Sequence, residues 1–211
     1  MTAPNAILMI STHCHHCAAT LNALADLIKQ GIVGQLTVVN VERHPELADA
    51  KGVRSVPWVR IGHFEFTGAQ SAADLKAWAE RAKSEEGWAD YFHQLLKDGQ
   101  AARVLELVRA DPGRLAALLP IVANPEASLN VRVGAGMLME DFAGSPILAA
   151  LVPDLGDLSE HADGRVRADA CHYLGLSGDA KARTWLEPRL ADTDTDVREI
   201  ARESLALLAL S

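Results

Sequence analysis

Every strand signal in this 211-residue chain falls before Gly68, and beyond Gly87 the apolar residues recur only at helical spacing. Two such patterns need different layers and therefore different cores. The length is comfortable for two units of roughly 100 residues each. The polar run Ser84-Glu85-Glu86-Gly87 is the natural junction, giving a mixed unit over residues 1–84 and a helical one over residues 88–211. Hydrophobic content of 49% against 23% charged residues is that of an ordered chain, and 5% aromatics alongside abundant Ala and Leu lean toward helix.

In the first unit, residues 7–11 form an apolar run with the length of a buried strand, and residues 18–32 place Leu21, Leu24, Ala25 and Ile28 at helical spacing. Gly31 and Gly34 stop that helix before a β-branched strand over residues 36–41. Strand, helix, strand in this order implies parallel pairing across the helix. After Pro45, residues 46–50 suit a short helix closed by Gly52. Residues 58–61 and 64–67 then flank Gly62-His63 as an antiparallel hairpin. Ser71, with Asp74 three residues on, opens a last helix that buries Leu75 and Trp78. The order is β-α-β-(α)-β-β-α.

Between the first strand and helix stands His13-Cys14-His15-His16-Cys17. Two cysteines two residues apart come within bonding range in a single helical turn. If Cys14 opens the helix, its thiolate is stabilised by unpaired backbone N–H groups and the macrodipole, which makes it the nucleophile. The same five residues are also five soft or borderline metal ligands. Reversible disulfide chemistry and metal binding are both compatible with the run, although zinc sites normally pair two such knuckles and no second Cys/His cluster follows.

The turn Thr12-His13-Cys14-His15-His16-Cys17 after a strand, Ser55-Val56-Pro57 some forty residues on, and Phe66-Thr67-Gly68 before a last helix together resemble the thioredoxin/glutaredoxin superfamily. The resemblance spans about residues 5–83 and is closest to minimal, glutaredoxin-sized members. It implies that Cys14 is the exposed attacking cysteine, Cys17 the buried resolving cysteine and Pro57 a cis-proline facing them. A cis bond there would turn the N–H and carbonyl of Val56 toward an extended substrate chain. No cofactor is implied. Three departures matter. Leu8 occupies the position where many thioredoxins carry a buried acid, both residues between the cysteines are histidines, and the glutathione-holding pattern shrinks to Gly68-Ala69. An imidazolium at His15 or His16 favours the Cys14 thiolate, which stabilises the reduced form and makes the couple more oxidising.

The second unit carries helical stretches at residues 88–97, 101–110 and 114–123, punctuated by Gly99, Asp111-Pro112-Gly113 and Asn124-Pro125. Asn130-Val131-Arg132, Arg165-Val166-Arg167 and Asp196-Val197-Arg198 then each open a longer apolar helix, with arginines 35 and 31 residues apart. These pieces resemble HEAT repeats of the short bacterial type, clearly over residues 125–211 and loosely over 88–124. The fold expected for the whole chain is an α/β thioredoxin-like domain followed by an all-α HEAT-type solenoid. Helix pairs that cannot bury an apolar face alone stack into such an array. The recurring Asp163 and Asp194 are expected to link repeats through these arginines, and Ser128 in the first repeat to leave its bridge missing. Cys171 reads as a small core residue and His172 as a surface one.

Formal charge is −8, shared unevenly. Residues 1–86 carry 8 Lys/Arg against 9 Asp/Glu, and residues 87–211 carry 12 against 19. No basic stripe occurs, which argues against nucleic acid and against an anionic membrane surface. The run at residues 6–10 is too short for a signal peptide and no stretch approaches a membrane span, so the cytoplasm is the expected compartment. The expected function is a thiol–disulfide oxidoreductase whose helical unit binds a protein client bearing a disulfide or dithiol, with a reductase or glutathione as electron donor. The other readings are an interaction scaffold or redox sensor with little turnover, and a zinc or copper carrier using His13, Cys14, His15, His16 and Cys17.

Overall fold

Ala6, Leu8 and Met9 are almost wholly excluded from solvent and make strand β1 (Asn5–Ile10) the centre of a four-stranded sheet. The computed structural model describes residues 2–210. The chain divides into two compact units, Met1–Gly87 and Trp88–Ser211.

In the first unit, helix α1 (Cys17–Lys29) carries the chain from β1 to β2 (Gln35–Asn40), which pairs parallel to it, Asn5 opposite Gln35 and Ile10 opposite Asn40. Gly31, with φ of 70°, takes the left-handed turn that ends α1, and Ile32 N–H closes it onto Leu27 O. Helix α2 (Pro45–Asp49) follows, then β3 (Trp58–Ile61), β4 (Phe64–Thr67) and α3 (Ala72–Arg81). The strand order is β2-β1-β3-β4, with β3 antiparallel to both neighbours.

The alternation of a strand sets both faces. Ala6, Leu8, Val59 and Ile61 pack under Leu24 and Leu27 of α1 and Leu75 and Ala79 of α3. Met9, Val39 and Trp58 face the other way, against Ala48 of α2. Ser71 caps α3 by accepting from Asp74 N–H at 3.1 Å, and its own hydroxyl donates to Asp74 Oδ2 at 2.6 Å.

The second unit has no strand among its described residues, and its α-helices are α4 (Gly87–Lys97), α5 (Ala101–Ala110), α6 (Leu119–Val122), α7 (Leu129–Glu140), α8 (Pro146–Ala149), α9 (Val152–Leu158), α10 (Gly164–Leu176), α11 (Arg183–Arg189) and α12 (Thr195–Leu208). The helix expected over residues 114–123 is broken. Residues 112–118 wind as a tighter 3₁₀ helix, and only Leu119–Val122 is α-helical. Pro112 and Pro120 each stand near the start of one piece, where their missing N–H and fixed φ are tolerated. Among the described residues no helix is long and apolar enough to cross a membrane.

Arg132 and Arg167 do join neighbouring repeats, but through other carboxylates than expected. Asp163 and Asp194 are helix N-caps, accepting from Arg165 N–H and Asp196 N–H at 2.9 Å each. Arg132 instead reaches Asp169 at 2.7 Å, so the first repeat is bridged although Ser128 replaces the aspartate. Arg167 grips Asp192 through Nε at 2.9 Å and Nη2 at 2.7 Å. Its Nη1 donates to the carbonyls of His161 and Ala162, just as Arg198 Nη1 donates to Asp192 O and Thr193 O.

Helices α10 and α12 touch at their backbones. A Cβ built on Gly175 would stand 2.6 Å from Ser204 Cβ and 2.8 Å from its Cα. Gly175→Ala gains about 1 kcal/mol of helix propensity yet has to push the two helices apart. The expected net loss is about 2 kcal/mol, measured by urea denaturation; unchanged or increased stability would refute the close contact.

Candidate functional site

The chain leaves the buried end of β1 at Ile10 and turns tightly before α1. Cys14 N–H donates to Ser11 O at 3.4 Å and Cys17 N–H to Cys14 O at 3.3 Å. Cys14 therefore stands ahead of the helix and does not open it. Its carbonyl is committed to this turn, His16 is the N-cap, and α1 begins at Cys17, with Thr20 N–H bonded to His16 O. First-turn N–H groups have no partner inside a helix, so the end of α1 still presents donors beside the turn.

The two sulfurs are bonded, with Sγ–Sγ of 2.01 Å and a Cα–Cα separation of 5.4 Å. They differ sharply in access. Cys17 is 4% exposed, whereas Cys14 is only half-buried. His13, His15 and His16 are all exposed, and among the described residues none of their imidazoles makes a hydrogen bond or ion pair. Any charge on them acts on Cys14 through solvent, and salt weakens it.

The Val56–Pro57 peptide bond is cis. Trp58 pairs with Met9, which places Pro57 at the sheet end from which the cysteine turn departs. Pro57 is buried and its carbonyl accepts from Gly68 N–H at 2.8 Å. Val56 is half-buried, and among the described residues no backbone hydrogen bond uses its N–H or C=O. One end of the sheet thus collects Cys14, Cys17, the three histidines, Val56 and Pro57. Leu8 lies fully buried in β1, so no titratable group stands at that position.

Sequence reasoning missed Glu42. Val41 N–H bonds Ile10 O at 2.9 Å, extending the parallel ladder one step past both strands, and Glu42 follows. Its carboxylate accepts from Thr12 N–H at 3.1 Å and from the Thr12 hydroxyl, while its own N–H donates to Asn40 Oδ1 at 2.9 Å. The Thr12 hydroxyl, then the Thr12 amide, hold the Glu42 carboxyl below its ordinary range, with smaller help from His13 and Arg43. Glu42 thereby fastens the strand next door to the residue two places before Cys14. The only signal was a glutamate just past a strand, which needs the parallel register to acquire meaning.

A carboxyl with a depressed folded pKa stabilises its contact above the unfolded value and loses it as pH falls through the folded one. Glu42→Ala is therefore expected to speed exchange of the Thr12 amide on the order of 10-fold or more at neutral pH. Acidification below the carboxylate range should lower the Thr12 protection factor of the unsubstituted chain, taken relative to the slower intrinsic exchange at that pH, and amide exchange by NMR reads both. Unchanged Thr12 protection in the variant would show that the contact holds nothing in solution.

Among the described residues no three His, Cys, Asp or Glu side chains converge as a metal-binding group. Cys171, fully buried in α10, has its thiol pushed up to about 11, chiefly by burial, and is inert at neutral pH. His172 is exposed and lies 3.3 Å from Glu140.

Residues 5–80 match the family model of the thioredoxin domain, and residues 115–206 match that of HEAT repeats. No curated protein matches the chain. The chain thus carries a thioredoxin-like domain with a cysteine pair, followed by a HEAT-repeat region.

Proposed function

We propose that the thioredoxin-like domain is a thiol–disulfide oxidoreductase and that the HEAT-repeat region selects its protein client. The reading rests on the Cys14–Cys17 disulfide, whose half-buried and buried sulfurs divide the work between attack and resolution. In the reducing direction the Cys14 thiolate attacks one sulfur of a client disulfide, forming a mixed disulfide and expelling the other client sulfur as thiolate. Cys17, deprotonated, then attacks Cys14 Sγ and releases the second client thiolate. Two electrons pass to the client and the Cys14–Cys17 bond closes. A reductase or glutathione supplies the two electrons that reopen it. The reverse sequence oxidises a client dithiol.

The unused N–H and C=O of Val56 support a role in pairing with an extended client segment beside Cys14. With Leu8 in place of an acid, the proton of Cys17 leaves through water or His16. Trapping tests the reading. Cys17→Ser should accumulate client proteins bound through Cys14 as mixed disulfides that dithiothreitol releases, and the absence of such adducts would count against it.

The potential offers a second test. Helix α1 presents its N-terminus beside the turn, and three exposed histidines flank Cys14; the helix end, and an imidazolium at any of the three, favour the thiolate and so the reduced form. Equilibration with glutathione should give a potential above the thioredoxin value of about −270 mV. A value at or below it would show that the histidines do not tune the couple.

A further inference from the structure

Helix α7 is apolar on two sides. Val131, Ala135, Leu138 and Met139 are buried in the helical unit, as a solenoid helix requires, while Leu129, Val133 and Met137 stand 74%, 52% and 60% exposed on the opposite side. The exposed three recur every fourth residue, so they form one stripe about 12 Å long. An apolar helix surface left in water at this spacing is what a partner helix covers.

The repeats themselves provide the control. Aligned on Arg132, Arg167 and Arg198, the positions of Val133 and Met137 are held in α12 by Glu199 and Glu203, both exposed. In α10 the same positions are Ala168, buried, and His172, exposed, so stacking of the array does not call for an apolar residue at the Met137 position.

The stripe borders a cleft of about 340 Å³ between α7 and α10. Gly136 gives the cleft its depth; a Cβ there would come 3.1 Å from the Tyr173 hydroxyl. Among the described residues nothing hydrogen-bonds that hydroxyl, although the Tyr173 ring is buried. The cleft thus combines an apolar wall, a polar point at its floor and a charged rim, which is the composition of a binding site.

The rim is acidic. Its charged lining is Glu140, Asp169 and Arg132, and since Arg132 is already neutralised by Asp169, Glu140 beside His172 is left as the net charge. Residues 87–211 as a whole carry 12 Lys/Arg against 19 Asp/Glu. A cationic partner is attracted to this face and an anionic surface is repelled.

We propose that the α7–α10 groove docks a short cationic amphipathic helix of a protein partner, its apolar side on Leu129, Val133 and Met137 and its lysines or arginines toward Glu140. That this partner is also the redox client rests on the function proposed above.

The test uses the full chain and a fluorescent synthetic helix with leucines at every fourth position and lysines elsewhere, with binding read by anisotropy at two salt concentrations. A matched helix with glutamates in place of the lysines is the control. The double variant Val133→Glu, Met137→Glu installs residues that α12 already carries at these positions, so the fold is retained, and circular dichroism checks it. The expected result is binding of the lysine helix that weakens 10-fold or more in the double variant and severalfold in Glu140→Lys, with insulin turnover unchanged in both. Equal binding of the glutamate helix, or binding unaffected by the double variant, overturns the proposal. So does a wild-type dimer that the double variant converts to monomer, because the occupant would then be a second copy. A chain that binds the lysine helix through the stripe but never reduces insulin removes the redox reading and leaves the groove.

Discussion

Cys14→Ser is expected to abolish reduction of insulin by this protein, lowering turnover on the order of 10³-fold or more. A serine oxygen can neither form the mixed disulfide nor close the bond that Cys14 makes with Cys17 at 2.01 Å. Cys17→Ser should behave differently. Cys17 is 4% exposed, so its loss blocks resolution and leaves the first attack by the half-buried Cys14 intact. Turnover stops, but one client remains attached per chain. Cys171→Ser should leave turnover at the wild-type level, since burial pushes the pKa of that thiol up to about 11 and keeps it protonated. The roles would be reversed if Cys14→Ser, and not Cys17→Ser, accumulated adducts.

The parts of the fold legible in the sequence are those set by neighbours along the chain. Both hairpin strands, Trp58–Ile61 and Phe64–Thr67, have the expected bounds because the Gly62-His63 turn fixes them, with Gly62 at a φ of 58°. The cysteine pair was legible for the same reason, being four consecutive residues after an apolar strand. What the sequence could not show is partner choice across distance. Arg167 could have met Asp163, four residues away, but that carboxylate is held by the N–H of Arg165, and the guanidinium reaches Asp192, 25 residues on. Glu42 meets Thr12 across 30 residues only because β1 and β2 run parallel in one register. The start of α1 was misplaced for a subtler reason. Spacing alone cannot tell a helix that opens at Cys14 from a tight turn that hands over at Cys17, since both bring the sulfurs together.

Asp192→Ala is expected to cost the helical unit about 3 kcal/mol, on the order of 10 °C in Tm for a unit of this size. The Asp192 side chain is 4% exposed and that of Arg167 12%. Asp192 accepts both Arg167 bonds and the Asp194 N–H at 2.9 Å, with Arg189 3.7 Å away. Removing the carboxylate strands a guanidinium and an amide in a nearly dry site. The residual exposure of Arg167 keeps the figure at the low end of the range for broken buried pairs. Most of this loss is the unpaired cation and little is the pair's own net attraction. A double variant, Asp192→Ala with Arg167→Met, should therefore recover a good part of the stability, and a double variant less stable than Asp192→Ala would contradict the argument. Acid gives an independent check. The Arg167 hydrogen bonds hold the Asp192 carboxyl below its ordinary value, so its contribution is complete above the unfolded value of about 3.9 and is lost as pH falls through the folded one. Thermal unfolding followed from neutral pH downward should show wild-type Tm falling toward that of Asp192→Ala below about pH 4, with the two curves converging as the carboxylate is protonated.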